Sequence, residues 1–185
     1  MIKGLLVFVQ KLLNKRSKIR IKMNNTPTLI KVDYRNEAHI EHLLTMLQMY
    51  AKDPMGGGQA IANDVVKLLP RALAARPYMH SFLVYQDEQP IAFANCIESF
   101  STFSAKGVMN IHDFAVSPQA RGRNVSQFLL KGIQEAALLI GCTKLTLEVL
   151  EGNKSAIRAY EKSGFTPYQL EPELGDGMFW QKYIV

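Results

Sequence analysis

The apolar positions of this chain change period along its length, and each change marks an element. From Thr28 to Arg35 (TLIKVDYR) apolar and polar residues alternate, which predicts a first strand. Asn36 has the short polar side chain of a helix N-cap, with Glu37 in the first turn. Ile40, Leu43, Leu44, Leu47 and Tyr50 then fall on one helical stripe. The run Asp53 to Gly58 (DPMGGG) breaks that helix. A second helix is expected from Gln59 to about Ala75, ending before Arg76-Pro77 because a residue preceding proline avoids the helical region. His80 to Gln86, the turn Asp87 to Pro90, and Ile91 to Phe100 predict a hairpin. Asn110 to Val116 (NIHDFAV) is another strand, and Val125 to Gly141 returns to helical spacing. Thr143 to Asn153 reads as a buried strand leading into a short helix that ends near Gly164-Phe165. The tail predicts two short strands around a loop containing Pro172, Gly175 and Gly177. The order β-α-α-β-β-β-α-β-α-β-β is that of an α/β fold, a mixed central β-sheet with helices on both faces.

Charge changes this picture only at one end. The formal net charge of +6 over 185 residues suggests a nucleic-acid partner at first. Seven of the 22 Lys and Arg residues, and none of the 16 acidic ones, lie in residues 1–25. The rest of the chain is therefore near neutral, and no nucleic acid is expected as a partner. Residues 1–25 read as a basic, partly apolar extension and residues 26–185 as a single domain. Leu5, Leu6, Val9, Leu12 and Leu13 share a helical face, as in an interfacial amphipathic helix. The preferred reading is an extension upstream of Met23, so membrane contact is not expected. No secretory signal or membrane span is legible. Cys96 and Cys142 lie in apolar runs without metal-ligand spacing, so they are expected as buried thiols in the cytoplasm, with no metal. The glycine triplet Gly56 to Gly58 lacks the Gly-Lys-Ser/Thr of a phosphate loop and reads as an interhelix loop.

Candidate chemistry concentrates between Asn110 and Phe165. A strand, the arginine-containing turn Gln119-Ala120-Arg121-Gly122-Arg123-Asn124, and the first turn of a helix make an anion site, because the first helical N–H groups have no intrahelical partner. With Asn153, Ala156, Tyr160, Gly164 and Phe165 downstream, the chain resembles the GCN5-related N-acetyltransferase (GNAT) family. The family's cofactor turn is Gln or Arg, two residues, Gly, one residue, then Gly or Ala. Gln119 and Gly122 match it, and Asn124 departs from it.

The resemblance implies the acetyltransferase fold and transfer of the acetyl group of acetyl-CoA to a primary amine, by direct attack in a ternary complex. A small-molecule acceptor is the first expectation. A protein or peptide N-terminal acetyltransferase and a non-catalytic acyl-CoA-binding module are alternatives, and a homodimer stays open. It implies cofactor contacts at Phe114, Ala115, Val116, Arg121, Gly122, Arg123, Asn124, Val125, Ser126, Asn153 and Ala156. Tyr160 is implied as the proton donor to the departing thiolate. Glu148, twelve residues earlier, is one candidate base; it could equally face a helix and pair with Lys144. His112 is a second, its imidazole titrating in the useful range. Acceptor contacts are expected from Asn95, Glu98 and Asn110.

Overall fold

The computed structural model describes residues 27–184, with nothing taken from the side chain of Leu174. The basic N-terminal extension and its candidate amphipathic helix lie outside the described residues. The elements run in order β1 (Thr28–Lys31), α1 (Glu37–Lys52), α2 (Asn63–Ala74), β2 (Met79–Gln86), β3 (Gln89–Ser101), β4 (Lys106–Val116), α3 (Val125–Leu139), β5 (Cys142–Leu147) and α4 (Lys154–Lys162). The five strands lie in one sheet in chain order. The first three pairings are antiparallel, and β4 with β5 is parallel. That last pairing is parallel because α3 carries the chain back across the sheet before β5 begins.

Period-2 alternation sorts the strand side chains between two apolar cores. On one face Phe82, Val84, Ala94, Cys96, Met109 and Ile111 pack with Leu129, Leu130 and Ile133 of α3, and Tyr160 joins them from α4. On the other, Leu83, Phe93 and Ala115 pack with Leu43, Met46 and Leu47 of α1 and Leu73 of α2. Helices therefore cover both faces, as the pattern predicts. Asn36 caps α1, its side chain accepting from His39 N at 3.2 Å.

Several boundaries differ from the sequence reading, among them the start of β4 at Lys106 rather than Asn110 and the end of β5 at Leu147 rather than Asn153. The first strand stops at Lys31, because Asn36 N bonds back to Asp33 O and turns the chain into α1. Helix α2 starts at Asn63, not Gln59. The Gln48 side chain explains this: it donates to Ile61 O at 2.9 Å and accepts from Ile61 N at 3.0 Å, so Ile61 is held outside the helix.

The correction at the C-terminal end is larger. The two expected C-terminal strands are absent among the described residues. Gln169 and Asp176 form one isolated bridge around a 3-10 turn at Pro172–Leu174. Met178, Phe179, Trp180, Tyr183 and Ile184 are all exposed, so the alternation in this segment buries neither of its faces. A strand without a ladder partner or a buried face has nothing to offset its ordering entropy.

Candidate active site

The parallel ladder between β4 and β5 ends at Ile111 opposite Leu147. On the other side of β4, Cys96 pairs with Ile111 and Asn95 with Asp113, so His112 is an extra residue bulged out of the ladder. A bulge bends and twists its strand. From this point β4 continues alongside β3 alone, while the chain after Leu147 leaves the sheet as coil. A cleft of about 450 Å³ opens there. Tyr50, Asp53 and Met55 reach it from the α1 side, and α3 and α4 form the opposite wall.

The turn before α3 is built for close approach. Gly122 has φ +77°, and a Cβ there would project into open space with no heavy atom within 4 Å. Asn124 is also left-handed, at φ 59°. It is the N-cap of α3, yet its side chain makes no capping bond. The first turn thus keeps its N–H groups available for an anion. Instead, Asn124 Oδ1 accepts from Lys162 Nζ on α4 at 3.1 Å, tying the turn to the neighbouring helix. With left-handed residues at 122 and 124, the family pattern can also be aligned from Arg121, which matches its first position alone. Asn124 then stands where the pattern has Gly, and Ser126 where it has Gly or Ala.

Arg121 bridges the cleft. Its Nη2 donates to Asp53 Oδ2 at 2.9 Å and its Nε to Val116 O at 3.2 Å. That bond and the one from Met55 N hold the Asp53 carboxyl below the usual carboxylate range, the Met55 bond contributing more. Gly122, Asn124, Val125, Ser126, Phe114, Ala115, Val116, Asn153 and Ala156 line the cleft, whereas Arg123 is exposed outside the lining. Asn153 Oδ1 caps α4 by accepting from Ala156 N at 3.1 Å. The turn's open N–H groups, the Cβ-free Gly122 and the positive charges of Arg121, Arg158 and Lys162 fit a phosphorylated cofactor arm. Arg158 and Lys162 were missed in the sequence, although their i,i+4 spacing on α4 could have shown them as one face.

Tyr160 is 9% exposed, with its ring held edge-on between Phe114 and Phe165 at centroid distances of 5.8 and 5.9 Å. Burial, and secondarily the nearby Tyr50, push its phenol up to about 12. It therefore carries its proton throughout the neutral range. Glu148 and His112, both exposed, line the same cleft. Glu148 accepts from Asn110 Nδ2, at 3.2 and 3.3 Å to its two oxygens, rather than pairing with Lys144. Asn110 also donates to Thr146 Oγ1 at 3.1 Å.

None of the three expected acceptor residues lines the cleft, and Asn110 meets it only through its bonds to Glu148. Glu98 lies on the α3 face of the sheet, bonded to the buried His80 at 3.0 Å, and is not brought to the cleft. Asn95 is 4% exposed and spends its amide on Ser81 and Asp113. No group of metal-ligating side chains occurs among the described residues. No helix among them is long and apolar enough to cross a membrane.

Residues 43–165 match the sequence model of the acetyltransferase (GNAT) family. The chain is 35% identical over 115 residues to a thialysine N-epsilon-acetyltransferase of Bos taurus, covering 55% of this chain and 67% of that protein. It is 25% identical over 146 residues to the uncharacterized N-acetyltransferase YycN of Bacillus subtilis, covering 75% and 92%. Among solved structures, an aminoglycoside acetyltransferase from an uncultured soil metagenomic sample, in complex with sisomicin, superposes with a TM-score of 0.71 at 10% identity. That alignment covers 88% of this chain and 100% of the other, a likeness of fold. The splayed strands, the left-handed turn before α3 and the sequence matches agree: this chain belongs to the GNAT acetyltransferase family and is an acyltransferase.

Proposed function

We propose that the protein transfers the acetyl group of acetyl-CoA to a primary amine on a small molecule, within a ternary complex. The observation that carries this reading is the placement of Tyr160 in the wall of the cleft that opens where β4 and β5 part. Members of the family use acetyl-CoA, and when bound it supplies a thioester acetyl group. The turn Arg121 to Ser126 would hold its pyrophosphate through backbone N–H groups, with Arg121, Arg158 and Lys162 adding charge. The edge of β4 from Phe114 to Val116, unpaired beyond Ile111, would offer its backbone to the pantetheine arm. Of its carbonyls, that of Val116 is already taken by Arg121.

The acceptor must lose a proton before its nitrogen can form the new bond. Glu148 is placed to take that proton, its carboxylate oriented by Asn110, and His112 is the alternative at the bulge. The sulfur that departs as the carbon–sulfur bond breaks takes a proton from Tyr160. A phenol pushed up by burial can still donate there, because the same dry wall disfavours a thiolate. Tyr160→Phe is expected to lower kcat by ~10-fold or more while acetyl-CoA still binds. An unchanged kcat would remove Tyr160 from this role.

A thialysine side-chain amine and an aminoglycoside are the acceptors named for the proteins this chain resembles, which supports a small amine. The spacing of Glu148 and Tyr160 favours a second reading, acetylation of a peptide N-terminus. Calorimetry with acetyl-CoA followed by thiol release against amines and peptides separates the two. Cofactor binding without thiol release on any acceptor leaves a binding module instead. The two free, buried cysteines support a cytoplasmic setting.

A further inference from the structure

One side chain of the turn before α3 crosses the cleft. Arg121 donates from Nη2 to Asp53 Oδ2 at 2.9 Å and from Nε to Val116 O at 3.2 Å. Its guanidinium therefore spans from the free edge of β4 to the residue that ends α1, and all three residues line the cleft. The rigid fork of an arginine holds two such partners in one orientation. Asp53 is engaged on both of its oxygens. Its Oδ1 accepts from Met55 N at 2.9 Å and so caps the 3-10 turn Pro54–Gly56.

That turn belongs to the wall facing the cofactor turn. Met55 and Tyr50 both line the cleft, and Gly56 lies so close to Tyr50 that a Cβ would strike its carbonyl. Past Gly56 the packing ends: Gly57 and Gly58 have open space where a Cβ would stand. Among the described residues, every other hydrogen bond of the segment Asp53 to Gly58 stays within it or returns to α1. The bond from Arg121 is what ties this wall to the cofactor side.

Both groups that meet Arg121 matter to a bound cofactor. The Val116 carbonyl is on the edge that faces the arm, and a carboxylate offers a guanidinium the same pair of oxygens that a phosphate does. We propose that Asp53 is an internal competitor for Arg121, which coenzyme A must displace. Phosphate oxygens take the place of the Asp53 carboxylate, Val116 O is released to the arm, and the turn Pro54–Gly56 is loosened together with Met55 and Tyr50. Asp53 is thus a positioning residue that acts through Arg121. The inference rests on the cofactor reading and adds a latch to it, through which the arrival of the cofactor reaches the opposite wall. The latch is weak by construction, because the two side chains are 55% and 26% exposed and one ion pair is exchanged for another.

The test is a double-mutant cycle read by calorimetric titration of coenzyme A into the native chain, Asp53→Asn, Arg121→Gln and the double variant. Asp53→Asn can still cap Met55 N but loses the charge that holds Arg121. It should bind coenzyme A about 2–5-fold more tightly than the native chain, the size of an exposed ion pair and a gain that structural damage does not produce. In the Arg121→Gln background the same substitution should change affinity by less than about 1.5-fold, since no guanidinium is left to release. Amide hydrogen exchange from Met55 to Gly58 should rise when coenzyme A is added to the native chain, and should be raised in Asp53→Asn without it. Thermal melts identify a variant that fails to fold, and Asp53→Ser, which can also cap, then repeats the removal of charge. Affinity no tighter in Asp53→Asn overturns the proposal, as does exchange in the native chain that stays level or falls. An equal gain in both backgrounds assigns the effect to general repulsion between Asp53 and the phosphates and overturns it too. If none of the four chains binds coenzyme A, the cofactor reading fails and the latch with it; if the native chain binds, the latch stands or falls alone.

Discussion

Asn124 sits at φ 59°, a conformation that costs most L-residues about 1–2 kcal/mol and Asn or Gly much less. Its side chain turns to Lys162 and leaves the first helical N–H groups open. Asn124→Gly keeps the turn and frees Lys162, so acetyl-CoA affinity should be unchanged or tighter by isothermal titration. Asn124→Val puts a β-branched residue in the same place and should weaken binding by roughly tenfold. A large loss in the Gly variant would show that the Asn–Lys bond is itself needed. Tyr160 was legible at this scale, because one residue type in one motif suffices to find it. Asp53 was not. Its significance depends on Arg121, 68 residues away, and no pattern at the end of α1 announces that pairing.

At the scale of elements, helices α1, α3 and α4 follow from their apolar stripes, and the caps at Asn36 and Asn153 mark their starts. Helix α3 runs close over the sheet because Gly132 has no side chain: a Cβ there would collide with Leu29 of β1. Gly132→Ala should therefore destabilise the fold by about 1–3 kcal/mol in denaturant unfolding, although Ala favours the helix. A variant as stable as the native chain would mean that Leu29 can move aside. The C-terminal segment is where element reasoning failed. Its apolar residues signal strand propensity, but propensity makes no strand without a ladder to join.

Across the whole molecule, the two faces of the sheet divide the work. The turn before α3 and Tyr160 belong to the face of α3 and α4, and the hydrogen-bonded row Ser81, Asn95 and Asp113 to the face of α1 and α2. On the face of α3, His80 is buried against Glu98, with Lys31 nearby. Burial lowers the His80 pKa below its ordinary 6.5, with Glu98 opposing and Lys31 reinforcing the shift. The unfolded chain takes up this proton first, so stability is complete above 6.5 and falls with the pH until His80 itself protonates. The thermal midpoint should fall as the pH drops below 6.5, by roughly 2–4 °C per kcal/mol lost. His80→Gln should flatten that slope, and an equal slope in both proteins would place the titration elsewhere.

The sequence by itself determined the fold class, the family, the glycine-containing turn before α3 and the helix that carries Tyr160. Each is written in local terms: a period, a cap, or a motif spanning a few turns of chain. Tertiary structure decided where the strands part, because the bulge at His112 exists only relative to the register of β3. It also decided that Glu98 pairs with His80 while Asp113, unremarked in the chain, pairs with Asn95 across the strands. Such roles arise from contacts between strands, and a single chain of letters encodes them only through the packing that brings those strands together.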